Sequence, residues 1–265
     1  MIIPAVEPVA FSIFGIPVYW YGITMASSIL VVFMLANKLF NQNNPDKKDL
    51  ILSVAPILIL LGVLGARLYF CLVNFGYYFV HPLEILDIRQ GGLSIHGALI
   101  VGILSLIVIS LKYKISKFKI LDAFASATIL GQSIGRWGNY FNSEAYGFPV
   151  LGQNWGLYIP LNNRFSQFVQ YDLFHPTFLY ESVLDLFGFV FLLFIYRRCA
   201  NKKEGITFFA YLIVYSIIRF IVECFRIDSA LNIGSIPLAQ VVSVILFFIG
   251  LVGVIYINLN NKKAG

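Results

Sequence analysis

The sequence predicts an all-α integral membrane protein of seven transmembrane helices, N-terminus outside and C-terminus cytoplasmic, with a small extracytoplasmic cap. Three observations carry that expectation. Of 265 residues, 59% are hydrophobic and only 12% charged, roughly half the charge of a soluble domain, and the mean hydropathy is +0.82. The runs 8–37, 90–111 and 229–261 carry no Lys, Arg, Asp or Glu, and each exceeds the roughly 20 residues that a bilayer crossing takes. They are continuously apolar rather than alternating, which favours helices over a barrel. Finally, the basic residues are segregated along the chain.

Helices are expected at 17–39, 50–72, 92–111, 119–137, 177–197, 206–225 and 236–257. The first opens PVYWYGIT, where Tyr19, Trp20 and Tyr21 read most simply as an interfacial aromatic belt. Between the first and second lies NQNNPDKKD (41–49), between the third and fourth KYKISKFK (112–119), between the fifth and sixth RRCANKKE (197–204). All eleven lysines fall on or beside these segments and the tail, and with Arg197 and Arg198 they make thirteen of the nineteen basic residues. The positive-inside rule makes these segments cytoplasmic, which fixes the orientation. The whole chain, 1–265, then reads as one polytopic membrane domain, with 138–176 as an extracytoplasmic loop or cap within it.

The start of the chain has no Lys or Arg before its apolar stretch, so it lacks the basic region of a cleavable signal and is expected to stay in the mature chain. Cys71, Cys199 and Cys224 are odd in number and scattered, implying no disulfide framework. No His, Cys and carboxylate set has ligand spacing, so neither a metal nor a cofactor is expected. The topology role of the lysines accounts for the net charge of +6 without a nucleic-acid partner.

The remaining basic residues are all arginines: Arg67, Arg89, Arg136, Arg164, Arg219 and Arg226. In this topology Arg67, Arg136, Arg219 and Arg226 come to the outer ends of three helices. An arginine within a span costs about 2.5–3.5 kcal/mol on insertion scales, so each needs a partner. Any one could snorkel to the headgroups; four at one depth suggest an anion site, and arginine suits bidentate phosphate or carboxylate.

The polar residues around them fall into blocks. GQSIGRWGN (131–139) spaces Gly131, Gly135 and Gly138 for close approach of another helix. Gln132, Arg136 and Asn139 share a face of that helix. Asn142, Glu144 and Gly147 follow in a loop, where Glu144 could simply pair with Arg136. YSIIRFIVECFR (215–226) puts Tyr215, Arg219, Glu223 and Arg226 on one stripe, with Arg219 able to pair Glu223. Cys224 lies off that stripe and reads as a packed thiol. GGLSIHGALIVG (91–102) places His96 at the level of the arginines, where its ordinary pKa suits a general base, although a lone histidine can equally be a hydrogen-bonded core residue. HPTFLYES (175–182) opens the fifth helix behind Pro176, with Tyr180 and Glu181 one turn in and Asp185 deeper. These groups gather at the outer ends of the helices, whereas a transporter site belongs near the midplane of two related halves. An anionic lipid headgroup fits better than a transport path. A small-anion channel or transporter, and a lipid-headgroup transferase using a non-protein acceptor, are the alternatives.

GRWGNYFNSEAYG (135–147) closely resembles the signature of bacterial prolipoprotein diacylglyceryl transferases, G-R-x-G-N-[FY]-x-N-x-E-x-aromatic-G. GGLSIHGALIVG, HPTFLYES and RFIVECFR resemble that family's other blocks in the same order, and WYG its first-helix motif. The resemblance spans about 18–256. Trp137 stands where the family often has a smaller aliphatic, at a variable position. The segment 148–174 carries no motif that maps.

The resemblance implies a seven-span enzyme of the bacterial inner membrane with its active site toward the extracytoplasmic side. It implies transfer of the sn-1,2-diacylglyceryl group of phosphatidylglycerol to the lipobox cysteine thiol of a prolipoprotein signal peptide. The products would be a thioether and glycerol 1-phosphate, in the first step of lipoprotein maturation. It carries functional roles onto Tyr21, His96, Arg136, Asn139, Glu144, Gly147, Arg219 and Glu223. The chemistry is alkyl transfer, which requires deprotonating a thiol of pKa about 8.5 and stabilising a departing phosphate. Arg136 and Arg219 are the candidates to hold the phosphate, with Asn139 and Asn142 on headgroup oxygens. His96 is the candidate base, and Glu144 or Glu223 could serve instead or position the arginines. Gly147 is expected to permit a close backbone approach or a left-handed turn.

Overall fold

The structure, a computed structural model, describes residues 1–87, 91–152, 154–199, 201–227, 232–233 and 236–263. Arg89 lies outside the described residues. The described chain is mostly helical: α1 Trp20–Asn43, α2 Leu50–Val73, α3 Phe75–Val80, α4 Ile95–Lys112, α5 Lys117–Phe141, α6 Thr177–Cys199, α7 Ile206–Glu223 and α8 Leu238–Lys263. The seven long helices fall where the apolar runs place them. Six of them, all but α5, are long and apolar enough to cross a membrane. Helix α5 has the length, 25 residues, but it carries Lys117, Lys119, Asp122, Gln132, Arg136 and Asn139.

The expectation of an all-α chain needs correction. Short strands run at Ile2–Ile3 (β1), Val9–Ile13 (β2), Ile16–Tyr19 (β3), Gly156–Tyr158 (β4), Leu173–Phe174 (β5), Asn232–Ile233 (β6) and Ile236–Pro237 (β7). They lie where the chain leaves its helices and the peptide groups need other partners. β4 pairs in parallel with β1 and antiparallel with β5, while β2–β3 and β6–β7 are hairpins.

The chain forms two compact units, Met1–Ala36 with Asp122–Gly265, and Asn37–Leu121. In the first, α1 lies on the glycine face of α5. A side chain at Gly131 would strike Val32 and Ser28, and one at Gly138 would meet Thr24 and the Tyr21 ring, while Gly135 has room to spare. Ser28 Oγ donates to the Gly131 carbonyl at 2.7 Å. Ser133 of α5 and Ser182 of α6 exchange hydroxyl-to-carbonyl bonds of 2.7 and 2.9 Å. Ile129, Leu192, Ala210, Ile218 and Val222 then form a core among α5, α6 and α7, and α8 packs on α7. The Asp122 carboxylate accepts from the Gly205 and Phe208 amides at 2.7 and 2.8 Å. It thereby satisfies two of the donors that the start of α7 leaves open.

Between α5 and α6 the chain builds a core of its own from Tyr146, Leu157, Ile159, Phe174 and Phe178. Arg164 donates to the carbonyls of Ile159 and Val169 at 2.8 and 3.0 Å. In the second unit α2 packs on α4. The two backbones nearly touch, since a side chain at Gly65 would strike Val101 and one at Gly97 would strike the Gly65 carbonyl and Tyr69.

Candidate functional site

Helices α5, α6 and α7 carry a chain of alternating charges. Arg136 Nη2 lies 2.5 Å from Glu181 Oε1, and Arg219 Nη1 lies 3.7 Å from the other oxygen of the same carboxylate. Arg219 Nη2 reaches Glu223 Oε2 at 2.6 Å, and Arg226 Nε stands 4.0 Å from that oxygen. The carboxylates are the most deeply buried members, with Glu181 2% and Glu223 4% exposed. An ion in so apolar a setting persists only when paired. Arg136 and Arg219 share the Glu181 carboxylate, and Arg219 and Arg226 lie against that of Glu223. Asp185, one turn from Glu181 on α6, is 1% exposed. Arg219 Nη1, Asp185 Oδ2 and Gln132 Oε1 are buried without a hydrogen-bond partner. Gln132 Nε2 donates to Tyr211 Oη at 3.1 Å, and the Tyr211 and Tyr215 rings stack 5.9 Å apart.

Glu181 is the residue that sequence reasoning noticed but gave no role. Helical spacing links Arg219 to Glu223, and that pair is present. Spacing cannot reveal that Arg136 pairs 45 residues away rather than with nearby Glu144. The signal was available in HPTFLYES, a carboxylate one turn into a helix beside the arginine block. Glu144 is exposed and makes a reciprocal clasp with Asn139 instead. The Asn139 amide donates to Glu144 Oε1 at 2.9 Å, and the Glu144 N–H to the Asn139 carbonyl at 3.0 Å. The clasp shapes a tight loop in which Ser143 and Ala145 hold positive φ values of 51° and 54°, uncommon for residues with a side chain. Asn142 sits in this loop with its carbonyl accepting from the Asn163 amide at 3.2 Å. Tyr21, second residue of α1, packs on Gly138.

Gly147 answers to close approach rather than to a left-handed turn. A Cβ there would come within 2.5 Å of the Phe225 carbonyl and 2.7 Å of His175 Cβ. Its N–H donates to the His175 carbonyl at 2.9 Å, Phe148 N–H donates to Phe225 O at 2.9 Å, and His175 N–H to Phe148 O at 3.0 Å. Gly147 also bridges Arg226. Helix α7 stops at Glu223, so Arg226 lies past the helix end, not on the expected stripe. The Thr177 hydroxyl donates to the Ala145 carbonyl. His175 Nδ1 lies 3.0 Å from Tyr180 Oη, beside Trp155 and Phe225, and burial holds its imidazole below the usual pKa.

Two expectations about other residues change. Arg67 is no anion ligand. Its Nε donates to Ile85 O at 2.9 Å, Nη1 to Gly91 O and Gly92 O at 3.0 and 3.1 Å, and Nη2 to Glu84 O and Asp87 O at 2.5 and 2.9 Å. All five donors of a guanidinium are thereby used. Cys224 is exposed rather than packed, because it falls just beyond the end of α7. His96, second residue of α4, is also exposed; it belongs to the second unit, whereas Tyr21, Arg136, Asn139, Asn142, Glu144, Gly147, Arg219 and Glu223 belong to the first. Among the described residues no group of three or more His, Cys, Asp and Glu side chains is placed to hold a metal ion.

A family model described as prolipoprotein diacylglyceryl transferase matches residues 8–256. A phosphatidylglycerol–prolipoprotein diacylglyceryl transferase of Synechocystis is 41% identical over 260 residues, covering 97% of this chain and 91% of the relative. One of Clostridium novyi is 38% identical over 260 residues, covering 97% and 98%. One of Staphylococcus epidermidis is 40% identical over 252 residues, covering 95% and 89%.

Proposed function

The chain belongs to the prolipoprotein diacylglyceryl transferase family, and on that premise we propose that it transfers the diacylglyceryl group of phosphatidylglycerol to a prolipoprotein. The acceptor is the lipobox cysteine thiol at the end of the signal peptide. Its sulfur bonds to C3 of the sn-1,2-diacylglyceryl group. The C3–O bond breaks, its electron pair leaves on the phosphate as glycerol 1-phosphate, and the thiol proton passes to a base.

The observation that supports this assignment best is the ladder Arg136–Glu181–Arg219–Glu223, which brings two guanidiniums together on one carboxylate and leaves Arg219 Nη1 without a hydrogen bond. A phosphodiester oxygen brings an acceptor for that donor, and charge developing on the leaving oxygen meets guanidiniums already fixed by buried carboxylates. Arg136 and Arg219 hold the phosphate. Asn139, held by Glu144, and Asn142 turn their amides to headgroup oxygens. Glu223 and Glu181 keep the guanidiniums aligned, Gly147 lets the signature loop lie against residues 175 and 225, and Tyr21 closes the α1 side of that loop. His96 takes the thiol proton. The enzyme is a seven-span protein of the bacterial inner membrane, with α5 as a span, the basic connections cytoplasmic, and 138–176 as an extracytoplasmic cap.

The test is incubation of the purified full chain with labelled phosphatidylglycerol and a lipobox peptide. Thioether-linked diacylglyceryl peptide is the expected product, and its absence from demonstrably folded protein would overturn the reading. His96→Gln with near-normal turnover at every pH would remove His96 as the base.

A further inference from the structure

A buried arginine with no carboxylate partner needs a reason to stay in an apolar helix, and at Arg67 the reason lies in what it grips. We infer that Arg67 is a positioning residue for His96, acting through the main chain at residues 84–87 and 91–94. The inference rests on the proposed role of His96 as the base. Arg67 is 6% exposed, and the five hydrogen bonds of its guanidinium all go to main-chain carbonyls of residues 84, 85, 87, 91 and 92. The Glu84 side chain is turned elsewhere, accepting from Tyr77 Oη at 2.7 Å. Arg67 therefore organises the path of the chain rather than a charge pair.

That path leads to His96. Gly91 and Gly92 have φ of +91° and +74°, a double left-handed turn that non-glycine residues rarely adopt. It brings both carbonyls to the same Nη1. A side chain at Gly92 would strike that nitrogen and the Phe70 ring. Two residues on, Ser94 N–H donates to the carbonyl of Ala66, the residue preceding Arg67, at 3.0 Å. Gly97 sits against the Gly65 backbone. His96 is thus bracketed between two residues pinned to positions 65 and 66. Its own polar neighbour is Ser94 Oγ, at a long 3.5 Å, and its ring lies 5.9 Å from that of Tyr69. With so little holding the imidazole directly, its placement depends on the backbone that carries it, and Arg67 fixes the approach of that backbone. A lysine could not substitute, because an ammonium has three donors and no planar fork for five acceptors.

The experiment is a double-mutant cycle in the full chain, with Arg67→Lys, Arg67→Met, His96→Gln and the doubles assayed with phosphatidylglycerol and a lipobox peptide. Arg67→Lys is expected to lower kcat by about 10- to 100-fold, as displaced catalytic groups do, while KM for phosphatidylglycerol moves less than about twofold because uniform lipid binding is untouched. In the His96→Gln background Arg67→Lys should add nothing, since coupled residues are non-additive. Hydrogen exchange of the amides at 91–98 should quicken in Arg67→Lys, with exchange in α6 and α7 unchanged. Unchanged kcat in Arg67→Lys while His96→Gln is crippled would overturn the role of Arg67 and leave His96 as the base. Equal losses with and without His96, or a rise in KM alone, would also overturn it, marking Arg67 as a general fold residue or a lipid ligand. Near-normal His96→Gln would remove the premise, and the inference would fall with it.

Discussion

Arg67 in α2 is 6% exposed and the Arg219 side chain in α7 is 16% exposed, and the two meet opposite surroundings. Arg67 is ringed by five neutral carbonyls that consume every N–H. Arg219 is shared between two carboxylates, one at 2.6 Å and one at 3.7 Å, and retains a nitrogen without a hydrogen bond. Carbonyls neutralise nothing, but they saturate geometry; carboxylates neutralise charge and leave donors over. An arginine of the first kind shapes backbone, and one of the second kind can accept an anion. What tells them apart chemically is the number of donors in use.

Several substitutions sharpen or break that contrast. Arg219→Gln and Arg136→Gln should each reduce kcat/KM by roughly 10²- to 10³-fold, the range for losing one donor to developing charge. If either loses no more activity than Arg67→Lys, the distinction between the two kinds of arginine collapses. Glu181→Gln removes the charge that both guanidiniums share. Breaking a buried pair costs about 3–5 kcal/mol, so a clear fall in melting temperature is expected. Turnover should fall about tenfold or more as the arginines lose alignment, whereas KM for phosphatidylglycerol should not rise, because the site becomes more positive. A large increase in KM would instead make Glu181 a lipid contact.

Gly147→Ala tests the crossing behind the ladder. The added methyl meets the Phe225 carbonyl, and overpacking of this kind costs about 1–3 kcal/mol. Undiminished stability and activity would leave the glycine without a special role. The smallest effect concerns His175, whose pKa burial depresses. A histidine kept neutral in the fold binds its proton more readily when unfolded, so it favours unfolding as pH falls below about 6.5, the ordinary value. His175→Gln should therefore flatten the acid side of a melting-temperature profile slightly, leaving the neutral plateau in place.

The helices were legible because a membrane chain writes them in long, predominantly apolar runs set off by basic connections, and the glycine face of α5 was legible because spacing on one helix is a local property. The ladder was legible by halves. Arg219 and Glu223 lie one turn apart, so periodicity pairs them. Arg136 and Glu181 sit on different helices, and nothing local joins them, so local spacing could offer Arg136 only the nearby Glu144. Arg67 could not be read at all, since carbonyls are invisible in a sequence of side chains. The strands were missed for a related reason: two to five residues are too few for alternation to register.

The crossing at Gly147 has one more consequence. Residues 147–148 are sewn to 175 on one side and to 225–226 on the other through peptide groups alone, just where α6 begins and α7 ends. The separation between the guanidiniums on α5 and α7 is therefore gauged by main chain, like the jaws of a caliper set by its frame. Such a gauge is indifferent to drift in the surrounding side chains. Relatives that share only 38–41% of their residues with this chain could keep the same separation of the two guanidiniums while the side chains around it are replaced, provided the one position without a side chain stays bare.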